Sequence, residues 1–316
     1  MGTGARRVTF GIKTSQIGLG YDEILRLWRE ADEVAIFEHA WLWDHMVPLR
    51  GDVKGATLEA WTLLSALAAQ TSRLRLGVIV TSNRLRHPAL LAKMAATVDI
   101  ISGGRLVFGI GAGGSRVPDP QVLAGVHREY DAYGVDVVAP SEALAALDEA
   151  CTIAKRMWTE TDPFDFDGRC YRLHDAVCEP KPIQRPHPPI LIGAGGERIA
   201  LRVVAKHADI WNCPTSSVDE FRHKSAVLDE HCRAIGRDPG EITRSIQVLV
   251  SSDGQHERPA HLPQVRGPSE VRDQLVELID AGVSHIVLAA LPPIPPVQWL
   301  AEEIVEPVLA RVRDAS

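Results

Sequence analysis

No apolar run in the chain approaches the roughly 18 to 20 residues needed to cross a bilayer. The basic opening, Met1 to Arg7, has no apolar segment behind it of the kind a secretory leader carries. Both absences point to a soluble, cytoplasmic protein with no membrane partner. Cysteine is scarce and unpatterned. Cys151, Cys170, Cys178, Cys213 and Cys232 are odd in number and no two form a CxxC pair, so neither a disulfide framework nor a structural zinc organises the fold. Buried thiols are the expectation. Positive charge is in the minority, 34 Lys and Arg against 41 Asp and Glu, which argues against nucleic acid as the partner. No Ser/Gly-rich or highly charged stretch divides the 316 residues, so one domain over residues 1–316 is expected.

What the chain does have is rhythm. Apolar or β-branched runs begin at Val8, Ala40, Leu74 and Arg105, about 32 residues apart, the length of a βα unit. Helical periods lie between them. One has Asp22 as its cap and Ile24, Leu27, Trp28 and Ala31 on one stripe; another runs from Thr57 to Thr71, and a third from Pro88 to the stop at Gly103. The rhythm then fails, and residues of about 115–188 read as an insertion after the fourth strand. Within it the polar Arg116 to Val138, with Pro118 and Pro120, suits a loop over an active site. Ser141 is placed to cap a helix through Met157, and Phe164 to Tyr171 reads as a hairpin turning on Asp167-Gly168.

Strands resume at Pro189 to Ile192, Asp209 to Cys213, Ile242 to Ser251 and Ser284 to Ala289. Helices start near Ile199, Val218, Pro268 and Val297, and a second polar loop spans Ser252 to Arg266. Eight strands alternating with eight helices predict an α/β fold, most simply a (β/α)8 TIM-like barrel; a doubly wound open sheet in two domains is the alternative.

In a barrel the functional groups gather at the carboxyl ends of the strands. Those ends are rich in glycine and poor in catalytic side chains, which suits a large flat cofactor that carries the chemistry itself. Gly193-Ala194-Gly195-Gly196, before a helix, can cradle a phosphate on backbone N–H groups, or be a plain βα turn. Gly109 to Gly114 matches GxGxxG, but no helix opens after it, so the dinucleotide reading is rejected. Gly111, Ala112 and Gly113 either clear space for a ring or turn the chain. Asp44-His45 is the only strand-end pair with acid/base character; its plain reading is a capping Asp beside a solvent-facing His. His87, His127, His187 and His207 do not sit on strand ends as barrel metal ligands would, so no metal is expected.

Four blocks resemble the luciferase-like monooxygenase superfamily, and within it the branch using the deazaflavin coenzyme F420. They are Leu42-Trp43-Asp44-His45, Arg86 to Lys93, Ser102 to Leu106 with Gly109 to Gly113, and Pro188 to Arg198 followed by Ala208 to Asn212. The resemblance implies a barrel with an insertion after the fourth strand, often a homodimer, acting on a small-molecule substrate. It implies that Gly195 and Gly196 hold the cofactor phosphate, beside Gly193 and Ala194. It also implies a bulge at Ile79-Val80, often with a cis peptide, backing the ring next to Thr81 and Asn83. By the same resemblance Asp44 and His45 contact the ring and serve as acid/base. A glutamate of the sugar-phosphate branch falls at Gly114 and a tryptophan at Leu49, so glucose 6-phosphate is a poor expectation as substrate. The long loop with Arg116, Arg128 and Tyr130 is expected to shape whatever binds. The expected activity is hydride transfer with F420; the alternatives are an FMN-dependent monooxygenase that activates oxygen, and a cofactor-binding barrel without turnover.

Overall fold

The computed structural model describes residues 7–114, 119–215, 217–252, 267–291 and 293–314. Its main sheet holds the parallel strands β1 (Thr9–Lys13), β2 (Phe37–Leu42), β3 (Arg75–Val78), β4 (Thr81–Ser82), β5 (Leu106–Gly111), β8 (Ile190–Gly193), β9 (Ile210–Cys213), β10 (Thr243–Val250) and β11 (His285–Ala290). The order β3-β2-β1-β11-β10-β9-β8-β5 closes because β3 also pairs with β5. β3 and the two-residue β4 are one stave interrupted at Ile79 and Val80, and both pair with β5. The result is a closed eight-stave parallel barrel, and the open two-domain sheet is excluded.

Each stave follows from composition: β-branched and aromatic residues fill it, and both faces are covered, the setting a parallel sheet requires. The outward faces meet a shell of helices in one continuous apolar core that includes Phe10, Trp28, Trp61, Phe108, Trp158 and Trp211. The inward faces form a second, smaller cluster of Trp41, Ile79, Val107, Leu191 and Val287, which plugs the barrel. A polar seam threads that interior. Lys13 Nζ donates to Gln247 Oε1 at 2.9 Å, and Gln247 Nε2 to Asn212 Oδ1 at 3.0 Å. Asn212 Nδ2 donates to Ser245 Oγ at 3.0 Å, which meets His285 Nδ1 at 2.8 Å. His285 stacks on His39 with ring centroids 3.9 Å apart.

The helices are α1 (Tyr21–Glu33), α2 (Ala60–Gln70), α3 (Pro88–Ile101), α4 (Pro120–Ala132), α5 (Pro140–Thr159), α6 (Ala200–His207), α7 (Val218–Ala234), α8 (Pro268–Asp280), α9 (Val297–Leu300) and α10 (Glu306–Asp314). Two caps differ from expectation. Asp22 lies inside the first turn of α1, whose cap is Gly20, and Ser141 lies inside α5, where Pro140 already occupies the first position. The stretch read as a loop contains α4, capped by Asp119, whose carboxylate accepts from the Gln121 and Val122 amides. The hairpin is present as β6 (Phe164–Asp167) and β7 (Arg172–Ala176), antiparallel. α5 packs between α3 and α6 as a barrel helix, so α4 and the hairpin are the additions between β5 and β8. The expected loop from Ser252 to Arg266 falls, apart from Ser252, outside the described residues. All five cysteines are free, and all but Cys170 are buried.

Candidate active site

Asp44 and His45 lie just past β2, after Trp43, where the stave reaches the mouth of the barrel, and their side chains part company there. Asp44 is 3% exposed and forms a two-pronged ion pair with Arg86, Nη1 to Oδ2 at 2.8 Å and Nη2 to Oδ1 at 2.9 Å. The Ser82 amide donates to Oδ2 at 2.9 Å. Burial pushes the carboxyl up from its usual range, and the Arg86 guanidinium and the Ser82 amide pull it back. Arg86 also bonds Glu59, the cap of α2. Asp44 thus ties the ends of β2 and β4 to the start of α2.

His45 has a different carboxylate. Its Nδ1 lies 2.9 Å from Glu129 Oε2, and the Met46 amide donates to Glu129 Oε1 at 2.5 Å. Glu129 is fully buried, whereas the His45 side chain is about a quarter exposed. The acceptor fixes the proton on Nδ1 and leaves Nε2 as the exchanging nitrogen. The His45 ring stands edge-on to Trp43, with centroids 4.9 Å apart. Glu129 comes from α4, in the stretch read as a loop. The signal that could have found it is Asp119-Pro120, an N-cap followed by a first-turn proline. The next residue, Tyr130, is buried and shares a 2.9 Å hydrogen bond with Ser82 Oγ. Arg128 is turned away, donating to the Pro48 carbonyl at 2.7 Å, and Arg116 lies outside the described residues.

The peptide between Ile79 and Val80 is cis, at the position the resemblance picks out. Val80 projects towards the ends of β5 and, beyond it, β8: a Cβ on Gly111 would meet its side chain at 2.7 Å, and one on Gly193 at 3.0 Å. A Cβ on Gly113, where φ is +78°, would meet Ser82 Oγ and Tyr130 Oη at 2.6 Å. At these glycines the absent Cβ makes room for the Val80, Ser82 and Tyr130 side chains, and the positive φ of Gly113 turns the chain. Ala112, between Gly111 and Gly113, is partly exposed at the rim. Thr81 is fully buried and its Oγ1 accepts from Trp61 Nε1 at 3.1 Å, so its side chain braces α2. Asn83 is 1% exposed; its Nδ2 donates to Tyr171 Oη at 3.2 Å, while its Oδ1 is buried without a partner.

Across the mouth, the end of β8 runs through Gly193, Ala194, Gly195 and Gly196 into a turn, and α6 begins at Ala200, close to the expected Ile199. The Ala194 carbonyl accepts from Trp211 Nε1 at 2.8 Å, and the Gly195 carbonyl from Lys224 Nζ at 2.6 Å. Among the described residues no hydrogen bond uses the Gly195 and Gly196 N–H groups. Lys224 is itself paired with Glu220 at 3.2 Å and Glu197 at 4.0 Å, so what this corner offers an anion is its two free backbone N–H groups. Among the described residues no cluster of His, Cys, Asp and Glu is arranged to hold a metal ion, and no helix is long and apolar enough to cross a membrane.

Residues 7–262 match the luciferase-like monooxygenase family. The chain belongs to this family. Curated relatives include an F420-dependent glucose-6-phosphate dehydrogenase of Kineococcus radiotolerans, 31% identical over 71% of the chain and 62% of that protein. A phthiodiolone/phenolphthiodiolone dimycocerosates ketoreductase of a Mycobacterium species is 30% identical over 62% of the chain. The matched stretch spans 62% of the Kineococcus protein and 48% of the ketoreductase, less than two thirds of either. Among solved structures, an F420-dependent secondary alcohol dehydrogenase superposes with a TM-score of 0.79 at 17% identity, over 98% of this chain and all of that one. The F420-dependent tetrahydromethanopterin reductase of Methanopyrus kandleri gives 0.75 at 20% identity, over 95% of this chain and 99% of that one. At those identities the likeness shows the fold alone, and the fold of this family member is the barrel described above.

Proposed function

We propose that this protein is an F420-dependent oxidoreductase that moves hydride to or from a small organic substrate, with His45 as its acid/base. The observation that carries the reading is the Glu129–His45 pair, a buried carboxylate orienting a partly exposed imidazole at the barrel mouth. The family membership supports it, as do the named cofactors of the relatives.

The residues present fit a deazaflavin. The unused N–H groups of Gly195 and Gly196, beside Gly193 and Ala194, suit its phosphate. The unpartnered Asn83 Oδ1 suits an N–H of a heterocycle. The apolar Ile79-Val80 turn, seated over Gly111 and flanked by Thr81, Ala112 and Gly113, suits the face of a flat ring. When bound, the cofactor supplies a ring carbon that gives or takes hydride.

The protein's own work is proton handling and positioning. Oxidising an alcohol releases a hydroxyl proton, and reducing a carbonyl consumes one. Nε2 of His45 can take or return that proton while Glu129 holds Nδ1–H and stabilises the charged ring. In this reading Asp44 keeps the rim in place through Arg86 and does not itself exchange protons. We read residues 1–316 as one domain that pairs with a second copy of itself. The five free thiols suit a reducing, cytoplasmic setting.

Titrating the purified protein with oxidised F420 and, separately, with FMN tests the cofactor. Binding of F420 is the expected result; tight FMN binding without F420 binding overturns it in favour of a flavin monooxygenase. His45→Ala is expected to keep the F420 affinity and to lower turnover about 10²- to 10⁴-fold. An unchanged rate removes the role given to His45.

A further inference from the structure

Lys13 closes β1 at the mouth of the barrel, and its register with Trp41 turns it towards the interior, above the apolar plug. Its ammonium has a single acceptor, the neutral Gln247 Oε1 at 2.9 Å. No carboxylate of the described residues pairs with it, although almost every other buried or half-buried cation here has one or several carbonyls: Arg86 has Asp44 and Glu59, Arg244 has Asp229, and Arg105 has four backbone oxygens and Thr71. Nζ lies 5.7 Å from the Trp43 ring centroid, and the His45 ring packs edge-on to the same ring. The indole Nε1–H of Trp43 is itself buried without an acceptor. One corner of the mouth, next to His45, thus presents a lone cation and an N–H donor, both short of acceptor oxygen. Leaving such donors dry and unmatched is costly, so a ligand that brings oxygen and one negative charge is what the corner suits.

We propose that Lys13 anchors the substrate and that the substrate class is an organic carboxylate, held by its carboxylate at Lys13 with its reacting carbon towards His45. The inference rests on the mouth being the substrate site, as proposed above. A carboxylate fits better than a phosphate ester because the corner offers one cation and neutral amides, Gln247 and Asn212, rather than a set of cations. This anchor also differs from the Gly195 corner, which has Lys224 and free backbone amides. Burial draws the Lys13 ammonium down to about 8, so its charge is present at neutral pH and lost above about 8. The other titratable groups around it do not mask that change. His45 and Glu129 lie beyond Trp43, Asp44 is engaged by Arg86, and burial holds His39 and His285 neutral deeper in the barrel.

Benzoate and its neutral isostere benzamide serve as probes, followed by tryptophan fluorescence on the protein without and with F420. At pH 7 benzoate is expected to bind at least tenfold more tightly than benzamide, the preference fading between pH 8 and 10. Lys13→Met is expected to abolish it, and Lys13→Arg to keep it through pH 10. Equal binding of the two probes, or a benzoate preference that survives in Lys13→Met, overturns the proposal. If F420 does not bind while the Lys13-dependent preference persists, the cofactor reading fails and the anion anchor stands.

Discussion

Both oxygens of Asp44 are occupied by Arg86 and the Ser82 amide, at a site where water does not reach. Removing that charge leaves the Arg86 guanidinium buried with only the half-exposed Glu59 to answer it. Asp44→Asn is therefore expected to lower stability by about 3 kcal/mol or more, read by urea unfolding. If stability holds while turnover collapses, Asp44 is a proton-transfer group after all. Glu129 acts on His45 instead. Glu129→Gln keeps the volume and an acceptor oxygen, but its NH2 can face Nδ1 and force the proton onto Nε2. Turnover is expected to fall by about 10²-fold or more, with a shifted pH profile and little change in KM. A fall confined to KM would show that Glu129 only shapes the pocket. The Asp44-His45 dipeptide was legible because the two lie together at the end of an apolar run. That the carboxylate beside His45 would come from residue 129 was not, since 84 positions separate the partners and only the fold joins them.

Helix α4 is the element on which this arrangement depends, and it is the one the sequence hid. Its apolar residues are few, and Pro118 and Pro120 suggest irregular chain, yet Asp119 and Pro120 together start a helix. The parallel staves were legible because continuous apolar runs between glycines have little else to be. α4 has no such period, since it covers the mouth and buries Gly125, Val126, Glu129 and Tyr130 there rather than lying in the helical shell. Gly125 sits against the loop that follows His45: a Cβ there would lie 2.2 Å from the Leu49 carbonyl oxygen. Gly125→Ala must push the helix off that loop, drawing Glu129 from His45 and Tyr130 from Ser82. It is expected to cost about 1 to 3 kcal/mol and to reduce turnover more than it reduces F420 affinity. Hydrogen exchange over residues 119–132 would show the loosening; protection equal to the parent protein, with full activity, contradicts this role.

At the scale of the whole molecule, the barrel interior is unusual in carrying a polar seam below its mouth. The alternation of strands with helices made the closed barrel legible, but histidines at positions 39 and 285 gave no sign that they would stack inside it. The reason is again distance, because β2 and β11 meet only through β1. Their burial has a consequence for stability against pH. Burial depresses His285 from 6.5 to about 3, and His39 is lowered in the same way. Above about pH 6.5 both folded and unfolded chains hold these rings neutral, and the seam is at full strength. Below it the unfolded chain takes up protons that the fold refuses, so stability falls as the pH falls towards about 3. His285 alone contributes a loss of about 2 kcal/mol at pH 5 relative to pH 7.5. Asp148, held down to about 2 by His207 and Lys206, adds its own loss only below its ordinary range, so the two effects occupy different windows. Urea midpoints at pH 7.5, 6, 5 and 4 are expected to decline steadily over the first three steps. His285→Asn retains a partner for Ser245 but does not titrate. It is expected to lower stability at pH 7.5 and to flatten that decline, and an unchanged slope in the variant would place the acid sensitivity elsewhere in the molecule.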